Sequence, residues 1–199
     1  DRVVGYGAIG FFAERRGNLL NKKEKEKLLE IARNSVESFV ERGEIPEFKI
    51  ENPMLNKKLG AFVTLKKQGR LRGCIGRFSP TDIPLYQVVR DMAIAAATKD
   101  LRFYPIMAEE LPQLQYEISV LSPLKKIDDW RKIEVGKHGV QIVIDGRSGV
   151  FLPQVAGENN WNLEKFLSEL CFQKLRLAPD CYKRKDAQIF VFTAQVFGE

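Results

Sequence analysis

Histidine is nearly absent from this chain: His138 is the only one in 199 residues. One imidazole cannot build a multi-histidine metal centre, so zinc or iron enzymes of that kind are excluded, and no metal or cofactor is expected. Cysteine is also scarce. Cys74, Cys171 and Cys181 form no CxxC pair and no zinc-ligand spacing. An odd cysteine count with no signal-peptide pattern fits a reducing cytoplasm. No apolar run approaches the ~20 residues of a membrane span, so no membrane partner is expected. Acidic residues are missing from one stretch in particular. From Lys57 to Arg77 there are seven basic residues and neither Asp nor Glu.

The chain as a whole carries 32 basic and 26 acidic side chains, a net charge of +6. Its length suits one domain or two small lobes, and a chain of this size buries roughly 70% of its unfolded surface without needing a staple. It opens on Asp1 rather than Met, as a piece of a longer polypeptide would.

The centre of the basic stretch is Leu71-Arg72-Gly73-Cys74-Ile75-Gly76. It reads as the second strand of a hairpin whose first strand is Gly60–Leu65, with a turn over Lys66–Arg70. Strand alternation puts Arg72, Cys74 and Gly76 on one face. Glycines inside a strand leave room for another backbone or a ligand. A thiol beside a guanidinium, with open space next to it, is a candidate thiolate site, because a nearby cation lowers a thiol pKa. The structural alternative is a buried, inert cysteine, with glycines that admit a packed helix. The basic run is likewise either a solvated hairpin that discourages edge pairing or an anion site for phosphate, carboxylate or nucleic acid.

The hexapeptide resembles the signature of the AMMECR domain family, known in prokaryotes as AmmeMemoRadiSam system protein A. Further matching segments are Gly60–Leu65, Glu117–Pro123, Lys137-His138-Gly139, Phe151–Ala156 and Gln195-Val196-Phe197, in the same order over about residues 20–199. The resemblance implies an α+β fold, mostly antiparallel sheet flanked by helices, in two unequal lobes with a cleft near the hexapeptide. It implies no established activity. Residues 1–12 resemble the closing strand of a Memo-type domain, and are expected to be the remnant of a fusion partner preceding an AMMECR domain over 13–199.

The element pattern agrees with that class. Asn21 and Glu24 form a capping box ahead of a helix that ends at Gly43. Ile45–Leu59 reads as a long loop. Thr81 or Asp82 caps a second helix running to about Lys99, whose N-terminal amides would help hold an anion near Cys74. Gln113–Leu121 alternates as a strand, with Glu117 on its polar face. Lys125–Glu134 reads as a loop. His138 precedes a hairpin with a turn over Asp145–Gly149. Asn159 or Asn160 caps a helix through about Leu175, with Cys171 in its apolar stripe, and Cys181 lies in a loop with no role assigned. Gln188–Phe197 reads as one apolar strand.

Two functions from different classes follow. In the first, an enzyme or enzyme subunit acts on a small anionic substrate, with Cys74 as nucleophile, His138 as acid/base and Glu117 as orienter. Arg72, Gly73, Gly76, Arg102 and Gln154 would bind the ligand or its anionic group. Arg102 enters this set because Asp100-Leu101-Arg102-Phe103 matches a family segment expected to read Asp-Pro-Arg-Phe. In the second, a non-catalytic module docks a Memo-type or radical-SAM partner, or RNA, through the basic hairpin 57–77.

Overall fold

The structure, a computed structural model, describes residues 19–78 and 82–199. The reading of residues 1–12 and the cap at Thr81 lie outside the described residues. The chain divides into a larger unit, to Leu121 plus Gln195–Glu199, and a smaller one, Ser122–Ala194.

The larger unit begins with α1 (Lys22–Arg42). Asn21 accepts the Glu24 amide at 3.0 Å and the Glu24 carboxylate accepts the Asn21 amide at 2.8 Å. Gly43 closes the helix at φ +72°, a left-handed conformation that favours glycine. After it, Ile45–Leu59 holds no helix or strand but is packed down: Leu55 and Leu59 are buried. Strands β1 (Ala61–Lys67) and β2 (Arg70–Arg77) form the expected hairpin. Its turn is only Gln68-Gly69, both at positive φ, the geometry that matches strand twist.

Helix α2 (Leu85–Thr98) starts at Pro84 and has no side-chain cap among the described residues, so Asp82 does not serve as one. Its first amides are not free for an anion. The Leu85 amide donates to the Lys57 carbonyl at 2.9 Å and the Tyr86 amide to the Leu55 carbonyl at 3.1 Å. The expected anion-binding helix end is therefore corrected: the preceding loop satisfies it. Strand β3 (Leu114–Leu121) follows, with Leu114, Tyr116, Ile118 and Val120 buried as the alternation requires.

The smaller unit contains β4 (Lys125–Ile127), β5 (Gly139–Ile144), β6 (Arg147–Phe151), α3 (Gln154–Glu158), α4 (Leu163–Glu169) and β7 (Gln188–Phe192). Its sheet has the order β4-β7-β5-β6 and is antiparallel throughout. Four expectations are corrected here. Lys125–Ile127 is a strand, because it finds an edge on β7. The second hairpin turn is the two-residue Asp145-Gly146, both at positive φ. The long helix through Leu175 is broken: Asn160 sits at φ +51°, Asn162 is the cap that accepts the Lys165 amide, and residues 170–175 continue as a π-helical turn. Finally, Cys171 and Cys181 are joined in a disulfide, which leaves Cys74 as the free cysteine.

The apolar segment Gln188–Phe197 is also two strands rather than one. β7 ends at Phe192, and β8 (Ala194–Gly198) joins the sheet of the larger unit beside β3. The break falls at Thr193. Its amide donates to the Ser122 hydroxyl and its carbonyl accepts the Ser122 amide, both at 2.9 Å.

The larger unit's sheet has the order β2-β1-β3-β8, with β1 antiparallel to β2 and to β3. One face packs on α1 and α2. Val63, Leu65, Tyr116 and Ile118 meet Leu28, Ile31, Val36, Val88, Val89 and Ala93 there. Burying each such aliphatic side chain contributes about 1.5–3 kcal/mol. No helix among the described residues is long and apolar enough to cross a membrane.

Candidate functional site

The other face of the larger unit's sheet carries the polar chemistry. The register aligns Cys74 of β2 with Thr64 of β1, and Thr64 with Glu117 of β3, so the three form one cross-strand row. Cys74, Thr64 and Ser119 on this face are buried. The Thr64 hydroxyl donates to the Cys74 sulfur at 3.2 Å. The Glu117 carboxylate accepts Lys66 Nζ at 2.9 Å through Oε2, while its buried Oε1 has no hydrogen-bond partner among the described residues.

Burial is the dominant influence on Cys74 and pushes its thiol above the ordinary range. The Thr64 hydroxyl and the Arg102 charge pull it down, the Asp100 and Glu117 charges push it up, and the net shift is upward. At neutral pH the group is a thiol, not a thiolate.

β2 is an edge strand, and the edge at Cys74 is capped by side chains. Asp100 Oδ2 accepts the Cys74 amide at 2.8 Å, and Arg102 Nη2 donates to the Cys74 carbonyl at 3.4 Å. Arg102 also grips the buried Asp100 carboxylate with two bonds, 2.9 and 2.7 Å. Burial raises the Asp100 pKa, but the bonds from Arg102 and from the Cys74 amide outweigh it, and the group stays ionised below its usual range. The Asp100–Arg102 pair thus takes the place of a neighbouring strand and closes an edge that would otherwise be open to pairing.

Arg72 lies elsewhere than simple alternation puts it. The ladder shifts register between Leu65 and Lys66, where Leu65 faces Gly73 and Lys66 faces Leu71. Arg72 is the extra residue of this bulge, which re-aims its side chain. Its guanidinium makes two bonds to Glu110, 3.1 and 2.8 Å, and also donates to the carbonyls of Tyr104 and Pro105. Lys67 Nζ joins the same carboxylate at 2.9 Å. The Arg72 bonds hold the Glu110 carboxyl at about 2, despite its partial burial. Arg72 therefore neutralises an internal acid, and Arg102 is the guanidinium that acts on Cys74.

The two glycines do not leave open space. A Cβ on Gly73 would lie 2.1 Å from the Ala96 carbonyl oxygen, so Gly73 lets β2 press against the backbone of α2. A Cβ on Gly76 would lie 2.1 Å from the ring of Phe62, its cross-strand partner. On the thiol's own face the expected room at Gly76 is filled by the Phe62 ring, and on the opposite face the room at Gly73 is filled by α2.

His138 and Gln154 belong to the smaller unit. His138 Nδ1 accepts the Glu134 amide at 3.0 Å, which places the ring proton on Nε2. Burial lowers its pKa, partly opposed by the Glu134 charge, so the ring is neutral at pH 7. Gln154 opens α3. The structure thus brings Cys74, Glu117 and Arg102 into one neighbourhood and sets Arg72 to its own task. Among the described residues, no group of three His, Cys, Asp or Glu side chains could hold a metal ion.

Sequence reasoning missed Thr64, Asp100, Lys66 and Glu110. Asp100 stood in the segment compared with the family but carried no role. Nothing local marks Glu110, whose partner Arg72 is 38 residues away.

The AMMECR1 family model matches residues 29–197. The chain belongs to the AMMECR1 family. Among similar proteins, Protein MK0488 of Methanopyrus kandleri is 41% identical over 192 residues, covering 92% of each chain. Protein PH0010 of Pyrococcus horikoshii is 40% identical over 186 residues, covering 87% of this chain and 89% of that protein. The crystal structure of uncharacterized protein PH0010 superposes with a TM-score of 0.79 at 37% identity, covering 92% of this chain and 94% of the other. The names of these relatives state no activity. For this AMMECR1-family chain, function is read from the site.

Proposed function

We propose that this AMMECR1-family domain is a non-catalytic docking module and that its hexapeptide builds a surface rather than a nucleophile. The observation that carries this reading is the state of Cys74. It is 5% exposed, its pKa is raised by burial, and among the described residues its one side-chain hydrogen bond comes from Thr64, which is not a base. A nucleophilic cysteine needs the opposite: access, and a base or cation that favours the thiolate.

Memo-type domains and radical-SAM proteins, with which the family is associated, are the first partners to test, and RNA is the next. Lys66, Lys67 and Arg72 are engaged by Glu117 and Glu110. That leaves Lys57, Lys58, Arg70 and Arg77 as the exposed cations of the hairpin stretch. The test is binding of a purified Memo-type domain, a radical-SAM protein or an RNA oligonucleotide across a salt series, with those four residues changed to Glu. Affinity that falls with salt, is lost in the charge-reversed protein and survives Cys74→Ser supports docking. Turnover of any small anionic substrate that requires Cys74 would overturn it.

One observation favours a second reading. The buried Oε1 of Glu117, without a partner among the described residues, is an acceptor that a ligand amine, amide or hydroxyl would satisfy. In the enzyme reading that ligand is the substrate. Glu117→Gln, which swaps an acceptor for a donor, should then abolish ligand binding.

A further inference from the structure

Between α2 and β3, residues 101–107 carry three large apolar side chains into solvent. Leu101 is 93% exposed, Tyr104 91% and Met107 62%. Scattered apolar residues on a surface are ordinary, but three within seven residues of one connection are not.

The backbone under them is held at several points. The Phe103 amide donates to the Asp100 carbonyl at 3.0 Å, and the Ile106 amide to the Ala97 carbonyl at 2.8 Å. The Met107 amide donates to Glu110 at 3.2 Å, and Arg72 takes the Tyr104 and Pro105 carbonyls. At its start, Asp100 and Arg102 fasten the loop to Cys74. Ile106 is the one side chain turned into the core. The Arg72 guanidinium and the Cys74 amide and carbonyl of the hexapeptide strand all serve to hold this loop.

We infer that the 101–107 loop is a preformed protein-docking surface, whose partner offers an apolar pocket bordered by Asp or Glu. This rests on the docking reading above and names a surface distinct from the four exposed hairpin cations as a whole. A loop held this way needs less further ordering on binding, and loop ordering is one of the costs of association. Tyr and Met are enriched at interface centres, and Tyr is a frequent hot spot. The acidic border follows from charge. Lys99 precedes the loop and is exposed, and Arg70 is exposed opposite Lys67, which itself bonds Glu110, while Arg102 is neutralised by Asp100. Glu109 is the exposed acid on this stretch, while Glu110 is neutralised by Arg72 and Lys67. The surroundings are net positive, so an acidic rim would both steer and orient the partner.

The test places a photo-crosslinking phenylalanine analogue at position 104 of the full chain in its host cells, with position 41 on α1 as the control. The crosslinked protein is then purified and its affinity measured directly. The expected result is an adduct from position 104 and not from 41. Tyr104→Ala or Leu101→Ala should cost about tenfold or more in affinity, and added salt should weaken binding. Circular dichroism of each variant confirms that it folds. No adduct, the same adducts from both positions, or a purified partner indifferent to both alanine variants overturns the inference. Crosslinking to lipid alone, with matching binding to phosphatidylglycerol vesicles, overturns it in favour of a membrane surface. A partner lost on reversing Lys57, Lys58 and Arg77 but kept by Tyr104→Ala would sink this loop while leaving the docking module standing.

Discussion

Glu110→Gln probes the link between the hexapeptide strand and the loop beside it. The carboxylate takes two bonds from Arg72 and one from Lys67, and its side chain is 17% exposed. Its pKa falls from 4.5 to about 2 on folding. At about 1.4 kcal/mol for each pH unit, that is worth about 3 kcal/mol, an upper figure because solvent screens part of it. The group's folded pKa is depressed, so its contribution is fully present above pH 4.5 and is lost as pH falls through 2. Urea denaturation of wild type and Glu110→Gln between pH 2 and 7 should therefore show a gap of about 2–3 kcal/mol that is flat from pH 7 to 5. The gap should shrink steadily below pH 4.5. At pH 7 it corresponds to roughly a 10 °C drop in Tm. A gap under 0.5 kcal/mol at pH 7, or one that persists unchanged to pH 2, would refute the assignment of Glu110 as the ionised hub.

Other expectations concern separate parts of the fold. Gly73→Ala pushes a methyl into the Ala96 carbonyl and should destabilise the protein by about 1–3 kcal/mol in denaturant melts, whereas Gly157→Ala, with nothing within 4 Å, should stay within about 0.5 kcal/mol. Replacing Cys171 and Cys181 together by serine opens a staple over a short loop and should cost about 2–3 kcal/mol; reductant should lower the wild-type midpoint and leave the variant unmoved. Asp100→Asn weakens the cap on the β2 edge, so amide hydrogen exchange at Cys74 should accelerate while exchange in α1 stays unchanged.

What was legible in the sequence was what neighbours decide. The Asn21–Glu24 box sits three residues apart, and Gly43 stops the helix, so α1 could be read to within a residue. Leu114 to Val120 alternate along one strand, and β3 followed from that. The failures are non-local. The stretch 57–77 has no acid of its own and looked like an open cationic surface, but Glu110 and Glu117 reach it from 38 to 51 residues away. The bulge that turns Arg72 off the Cys74 face leaves no mark in a six-residue motif. Gly73 and Gly76 signalled close approach, but not by what; a helix backbone and Phe62 fill the space that a ligand was expected to take. Gln188–Phe197 is apolar throughout, and nothing in it announces that Thr193 divides it between two sheets.

The most direct test is alkylation of native Cys74 against pH, read by peptide mass spectrometry. With Cys171 and Cys181 in a disulfide, Cys74 is the one free thiol in the chain, so labelling reports on it alone. Slow labelling whose apparent pKa lies above the ordinary ~8.5, and which speeds up sharply in denaturant, is the result expected of a thiol packed behind Thr64. Fast native labelling with an apparent pKa well below that value would contradict the account and return Cys74 to the role of nucleophile.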